Sequence, residues 1–190
     1  MKLHDLYSGI RLAALAIAVV FGSLFFAGSL PAKTAGEIDA SVNATLQQFK
    51  KTVTGGSEAL GKAKGVLVMP NVIKGAFIVG GQYGEGALRV AGSTVAYYSL
   101  AAGSVGFSFG AQAKDIVILF MTEAVLNQFR ASQGWEVGLD GNIALINIGG
   151  GERVDFTKLN DPILGFVLDP QGLMVDLSLK GAKFTKINPS

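Results

Sequence analysis

A chain of 190 residues, 49% hydrophobic and 16% charged, can bury one core of its own, and a formal net charge of +2 gives a nucleic-acid partner little to hold. It has no Cys and a single His, at position 4. Disulfides, a lipid-modified cysteine, thiol or Ser-His-Asp catalysis and His-ligated zinc are therefore excluded beyond the first residues.

Lys2 and Arg11 lead into an apolar run from Leu12 to Ala27, and the small residues Ala27-Gly28-Ser29-Leu30-Pro31-Ala32 follow. A charged n-region, an apolar h-region and a small-residue site make residues 1–32 an expected signal peptide, cut after Ala32 or Ser29. The run is shorter than the ~20 residues that span a bilayer, and an uncut leader is the competing reading. On this reading residues 33–190 form a single exported domain in the periplasm or cell envelope.

From Ile38, the apolar residues Val42, Leu46, Phe49 and Val53 recur every three or four positions, which predicts an amphipathic helix ending near Thr54-Gly55-Gly56-Ser57. Ser57 is the expected cap of a second helix, Glu58 to Lys64. After Gly65 the texture turns to short β-branched and aromatic runs. Strands are expected at 65–70, at 75–83 and 87–91 around a hairpin turn Gly84-Glu85-Gly86, and at 94–100, 105–110 and 115–121. Thr122 is the expected N-cap of a helix carrying Val125, Leu126 and Phe129. Strand character resumes at 135–138, 142–149 and 165–179, with a turn at Asp169-Pro170-Gln171-Gly172. Many short strands and frequent turns give an α+β fold, an antiparallel barrel-like β-sheet flanked by a few helices.

Little in this pattern points to catalysis. The pairs Asp115 with Glu123 and Asp155 with Asp161 are the carboxylates that could serve glycoside hydrolysis, but their spacing selects neither. The glycine runs 80–86 and 149–151 lack a following Gly-Lys-Ser or Gly-Lys-Thr, so hairpin turns or close packing explain them better than phosphate binding. No cofactor is expected. Lys50, Lys51, Lys62, Lys64, Lys74 and Arg89 gather around the helices and the start of the sheet. Beside an anionic membrane each such cation contributes roughly 1 kcal/mol, most effectively with an amphipathic apolar face. They could equally be a solvated surface over a helix that packs its stripe on the sheet.

The run Ala63-Lys64-Gly65-Val66-Leu67-Val68-Met69-Pro70, followed by the segment from Lys74 to Gly86, resembles the opening of the SYLF domain family. The stretch from Gly106 to Asp115 is similar to that family's glycine-glutamine strand, Thr122 to Leu126 to its following helix, and Gly172 to Gly181 to its last block. The resemblance implies a non-enzymatic lipid-binding module, whose eukaryotic relatives bind phosphoinositides through an N-terminal amphipathic segment and in yeast bind and bundle actin. Where many members have a Trp-Ser-Ala-Pro-like element, this chain has Ala96-Tyr97-Tyr98-Ser99-Leu100-Ala101. An export signal also makes actin an unlikely partner and turns the expected ligand into an anionic phospholipid of the envelope.

The expected function is thus headgroup binding at the membrane surface through Lys50, Lys51, Lys62, Lys64 and Lys74, with Val42, Leu46 and Phe49 as either inserting or core residues. A small outer-membrane β-barrel and a carboxylate-dependent envelope glycan hydrolase are the alternatives. Edge strands could pair between copies, which leaves a homo-oligomer open.

Overall fold

Alternation along the central strands is hydrophobic on both sides, and this decides the architecture. In the computed structural model, which describes residues 33–75, 80–104, 112–146, 160–168 and 179–190, Lys33–Ser190 is one compact unit. The expected leader, the strand over 105–110, the glycine run 149–151 and the turn 169–172 with most of its second arm lie outside the described residues.

Among the described residues three helices, α1 (Ala35–Thr52), α2 (Gly56–Lys62) and α3 (Glu123–Ala131), flank one eight-stranded sheet. Its strands are β1 (Gly65–Gly75), β2 (Gly80–Val90), β3 (Ser93–Ser104), β4 (Gln112–Phe120), β5 (Gly134–Glu136), β6 (Ala144–Ile146), β7 (Ile163–Leu168) and β8 (Lys183–Ile187), in the order β5-β8-β3-β2-β1-β4-β7-β6. All neighbours are antiparallel except β6 and β7. The α+β expectation holds, and the sheet curls into a half-barrel.

Val66, Val68, Val117, Leu119, Leu164 and Phe166 point to the outer side, where they pack with Ile38, Val42, Phe49 and Val53 of the α1 layer. Leu67, Met69, Ile116, Ile118 and Phe120 point inward and pack with α3 and Trp135. Phe129 of α3 is the hub of the inner side, with ring centroids 4.8 Å from Tyr98, 4.8 Å from Phe120 and 5.6 Å from Trp135. Two buried faces explain why these strands read as continuous apolar runs.

The helix ends follow local chemistry. Thr34 and Glu37 form a capping box, the Glu37 N–H donating to Thr34 Oγ1 at 3.3 Å and the Thr34 N–H donating to Glu37 Oε2 at 2.8 Å. Helix α1 consequently starts before the apolar stripe begins. The expected Ser57 cap is not used: Gly55, at φ +85°, is the N-cap of α2, and the helix starts at Gly56. A Cβ on Gly56 would lie 3.0 Å from Phe49 Cε1 and 3.1 Å from Val53 Cβ, so the glycine pair lets the chain fold tightly back on α1. Thr122 caps α3 as expected, accepting from the Val125 N–H at 3.4 Å.

The Gly84-Glu85-Gly86 turn expected from the sequence does not form. These residues sit inside β2, paired with Leu100, Ser99 and Tyr98 of β3, and the chain reverses instead at Ala91-Gly92, whose φ angles of 48° and 81° fit a two-residue type I′ turn. The glycines serve close approach. Strand β1 carries a bulge at Pro70-Asn71, where its register shifts against both β2 and β4. A Cβ on Gly84 would meet Val72 Cγ2 at 2.8 Å, and one on Gly86 would collide with the Val68 carbonyl oxygen.

Replacing Gly86 by Ala should therefore force β1 and β2 apart and cost at least the ~1–3 kcal/mol of an overpacked core. Gly36→Ala, at a helical site with nothing within 4 Å of the new Cβ, should stabilise by ~0.4–1 kcal/mol. Urea unfolding of both variants checks the contrast; equal midpoints would rule out the close approach.

Candidate functional site

The polar residues of the outer layer fall into two sets, those that fasten α1 and those that face solvent. Asp39 accepts from Thr94 Oγ1 at 2.7 Å, from Tyr97 OH at 3.0 Å and from Arg89 Nη2 at 3.2 Å. Arg89 also donates to Asn43 Oδ1 and to the Gly92 carbonyl, both at 3.1 Å. This cation is thus spent on joining α1 to β2 and the β2–β3 turn. Further along the helix, Asp115 accepts from the buried Thr45 hydroxyl and from the N–H of Asn71 in the bulge, each at 2.8 Å. One carboxylate holds the helix and the bulge together.

Asp115 therefore has a structural task, and it is not brought to Glu123, which lies beyond the far end of β4. The stretch from Asp115 to Phe120 alone spans on the order of 16 Å. Asp161 is exposed and Asp155 lies outside the described residues. Among the described residues no three His, Asp or Glu side chains group as metal ligands would, and no helix is long and apolar enough to cross a membrane.

The basic residues separate in space. Lys50 and Lys51 are exposed in the last turn of α1, where they also suit the negative end of the helix dipole. Lys62 closes α2 and pairs with Glu58 at 2.6 Å, both side chains about half exposed. Lys64, exposed, precedes β1, and its N–H donates to the Phe120 carbonyl at 2.8 Å. Lys74 is the penultimate residue of the 11-residue β1, on the order of 30 Å along the strand from Lys64. Four of the five expected lysines precede β1 in the chain, and the fifth stands near its far end.

Ile38, Val42 and Phe49 are buried beneath α1, with Leu46 partly so, and Phe49 meets Phe166 edge-on at 5.1 Å. Of the two roles open to this stripe, the structure shows core.

A second feature escaped the sequence reading. The segment between β5 and β6 carries Leu139 at 78% exposure, and Leu145 of β6 is 41% exposed. Leu145 and Gly138, the neighbour of Leu139 in the chain, line an open cleft of about 470 Å³ whose walls also include Val137, Asn142, Ile143, Leu179 and Lys180. The signal available was Gly138-Leu139-Asp140-Gly141, a turn composition read only as the end of one strand and the approach to another.

These features make a half-barrel flanked by helices, with exposed cations at the ends of its first two helices and a cleft beside the segment between β5 and β6. Residues 101–188, from the second half of β3 to the end of β8, match the Ysc84 family, described as Las17-binding protein actin regulator. This is the SYLF family, and the resemblance read from the sequence motifs is thereby shown over that stretch. The motifs between Ala63 and Gly86 lie outside the match. No curated protein matches the chain.

The three tyrosines of the unit all hold their protons above the ordinary phenol range. Tyr83, although about half exposed, is pushed up to about 12 by partial desolvation and by donating to Glu85 Oε1 at 2.7 Å. Tyr97 is raised by burial and by its bond to Asp39, and Tyr98 by burial, against an opposing pull from Arg130. An unfolded phenol ionises near pH 10. Between that pH and the folded values, the unfolded chain binds fewer protons than the native one. This contribution to stability is thus complete below about pH 10 and lost as pH rises through the folded values. Tyrosinate absorbance should lag behind that of the denatured chain, and Tyr83→Phe should remove a late component near pH 12. Ionisation at pH 10 in the native protein would contradict the assignment.

Asp115→Ala should leave the Thr45 hydroxyl and the Asn71 N–H without their acceptor and destabilise by ~1–3 kcal/mol. Chemical denaturation measures it; an unchanged midpoint would remove Asp115 from the anchoring role.

Proposed function

We propose that this domain is a non-enzymatic module that binds anionic phospholipid headgroups at the envelope membrane surface, reached by export. The observation that carries the reading is the exposure of Lys50 and Lys51 in the last turn of a helix whose apolar side is fixed on the sheet, with Lys62 and Lys64 following in the chain. Such a surface meets a membrane by charge, without unfolding anything. Each cation adds roughly 1 kcal/mol against anionic lipid, and the attraction fades beyond a Debye length of ~8–10 Å. Lys74, at the far end of β1, contributes to the general field and not to the same contact. Binding a headgroup requires no turnover, in keeping with carboxylates that serve as anchors.

The description of the matched family names a regulator of actin that binds another protein, and a protein partner is the reading to which a negative lipid result would pass. The test is co-sedimentation of Lys33–Ser190 with zwitterionic or anionic vesicles at low and high salt. Binding is expected only to anionic vesicles, weakened by salt and at least tenfold weaker in the double variant Lys50→Glu, Lys51→Glu. Absence of binding to every vesicle would overturn the headgroup reading.

A further inference from the structure

A single exposed leucine needs no explanation. Leu139 differs because the turn that presents it is tied on several sides. The Val137 N–H donates to the Ala182 carbonyl and the Gly181 N–H to the Val137 carbonyl, both at 3.0 Å. The Asp140 N–H donates to the Glu136 carbonyl at 2.9 Å, and Asp140 Oδ2 accepts from the Glu136 N–H at 2.7 Å. From α3, Gln128 Nε2 donates to the Asp140 carbonyl at 3.0 Å. Gly138, at φ +96°, allows the bend. The leucine therefore stands in water on a backbone already ordered, and seating it among apolar groups costs little further ordering.

What lies beside it gives the direction. Gly138 and Leu145 are walls of the 470 Å³ cleft, within the ~300–1,000 Å³ typical of small-ligand sites. Val137, Ile143, Leu145 and Leu179 supply apolar surface, and Lys180 and Asn142 supply the polar part. The exposed Leu145 in the wall, the exposed Leu139 next in the chain to the wall residue Gly138, an apolar interior and the cation Lys180 complement an amphiphile with an apolar tail and an anionic head.

We propose that this cleft takes an acyl chain of an anionic phospholipid from the bilayer, with Leu139 and Leu145 seated at its lip among neighbouring chains and Lys180 beside the phosphate. The inference rests on the reading of the domain as a phospholipid binder and adds a second contact, at the seam of the half-barrel, to the α1 surface on the outer side.

Trp135 provides a local probe. It is the chain's sole tryptophan, 3% exposed, and its ring packs under the turn, where a Cβ on Gly141 would meet Cζ2 at 2.8 Å. The full chain is mixed with phosphatidylglycerol vesicles whose acyl chains carry bromine, a short-range quencher of tryptophan emission. The apolar run 12–27 itself favours vesicle contact, so the emission reports only what reaches the turn. The expected result is loss of about half or more of the Trp135 emission, abolished in Leu139→Asp and reduced in Leu145→Ser. Leu139 is exposed enough for its replacement to leave the fold intact, which circular dichroism checks, and Leu145→Ser is the independent second variant. Emission unchanged by brominated lipid, or quenched in both leucine variants as strongly as in the unaltered chain, would overturn the cleft. If Lys33–Ser190 still sediments with anionic vesicles, only the cleft falls; if it does not, the headgroup reading falls as well.

Discussion

Asp39 and Asp115 fasten the outer helix to the sheet, one near its first turns and the other past its middle, and most of what the outer side can do depends on that attachment. Between them they accept from Thr94, Tyr97, Arg89, Thr45 and Asn71. The apolar stripe between the anchors adds Ile38, Val42 and Phe49, each at 0–1% exposure. Burying such side chains stabilises by ~1.5–3 kcal/mol apiece. A bilayer could compensate the helix for its lost apolar contacts. It could not compensate the sheet, whose Val66, Val68, Val117, Leu119, Leu164 and Phe166 would be left facing water. Detachment of α1 is thus opposed from the side that stays behind. The lysines at its end act from a docked helix.

The parts of this fold legible in sequence are those governed by local periodicity. The stripe at Ile38, Val42, Phe49 and Val53 and the stripe at Leu126 and Phe129 lie on helices, with Thr122 as cap, because an amphipathic helix announces its buried face by spacing alone. The misread places are governed by contacts across the sheet. Gly84 and Gly86 have the composition of a turn, but what selects glycine is the approach of Val72 and Val68 from the neighbouring strand. Nothing within β2 encodes that approach. The turn that does form uses Ala91 at φ 48°, a residue with no turn preference, because the pairing of β2 with β3 fixes where the reversal must fall.

The candidate site was legible by residue type and not by position. Lysines close in sequence mark a basic region, yet a β-strand carries the chain ~3.3 Å per residue and so separates Lys64 from Lys74 within a few words of sequence. Arg89 looks like another surface cation, and only the tertiary structure shows it paired with Asp39 at 3.2 Å, its side chain 16% exposed. The cleft could not be read at all. Its walls come from the ends of β5 and β6 and the approach to β8, segments brought together only when the sheet curls.

That curl is itself forced by connectivity. Strands β5 and β6 are consecutive in the chain yet stand at opposite edges of the eight-stranded sheet. In a flat sheet, neighbours ~4.8 Å apart would place those edges about 34 Å from each other. The chain from Glu136 to Ala144, fully extended at ~3.3–3.6 Å per residue, reaches only about 26–29 Å, and it is far from extended, since Val137 and Gly141 pair across a turn. The edges must therefore approach, and the connecting segment becomes the seam of a half-barrel. Bulk at Gly165 would obstruct it, since a Cβ there would lie 2.6 Å from Ile143 Cγ2 and 3.0 Å from Leu145 Cδ2. Among the described residues no strand-to-strand ladder joins β5 to β6 across this seam, and its apolar side chains are covered only in part. The same constraint that closes the fold leaves Leu139, in the connecting segment, and Leu145, in the strand after it, exposed.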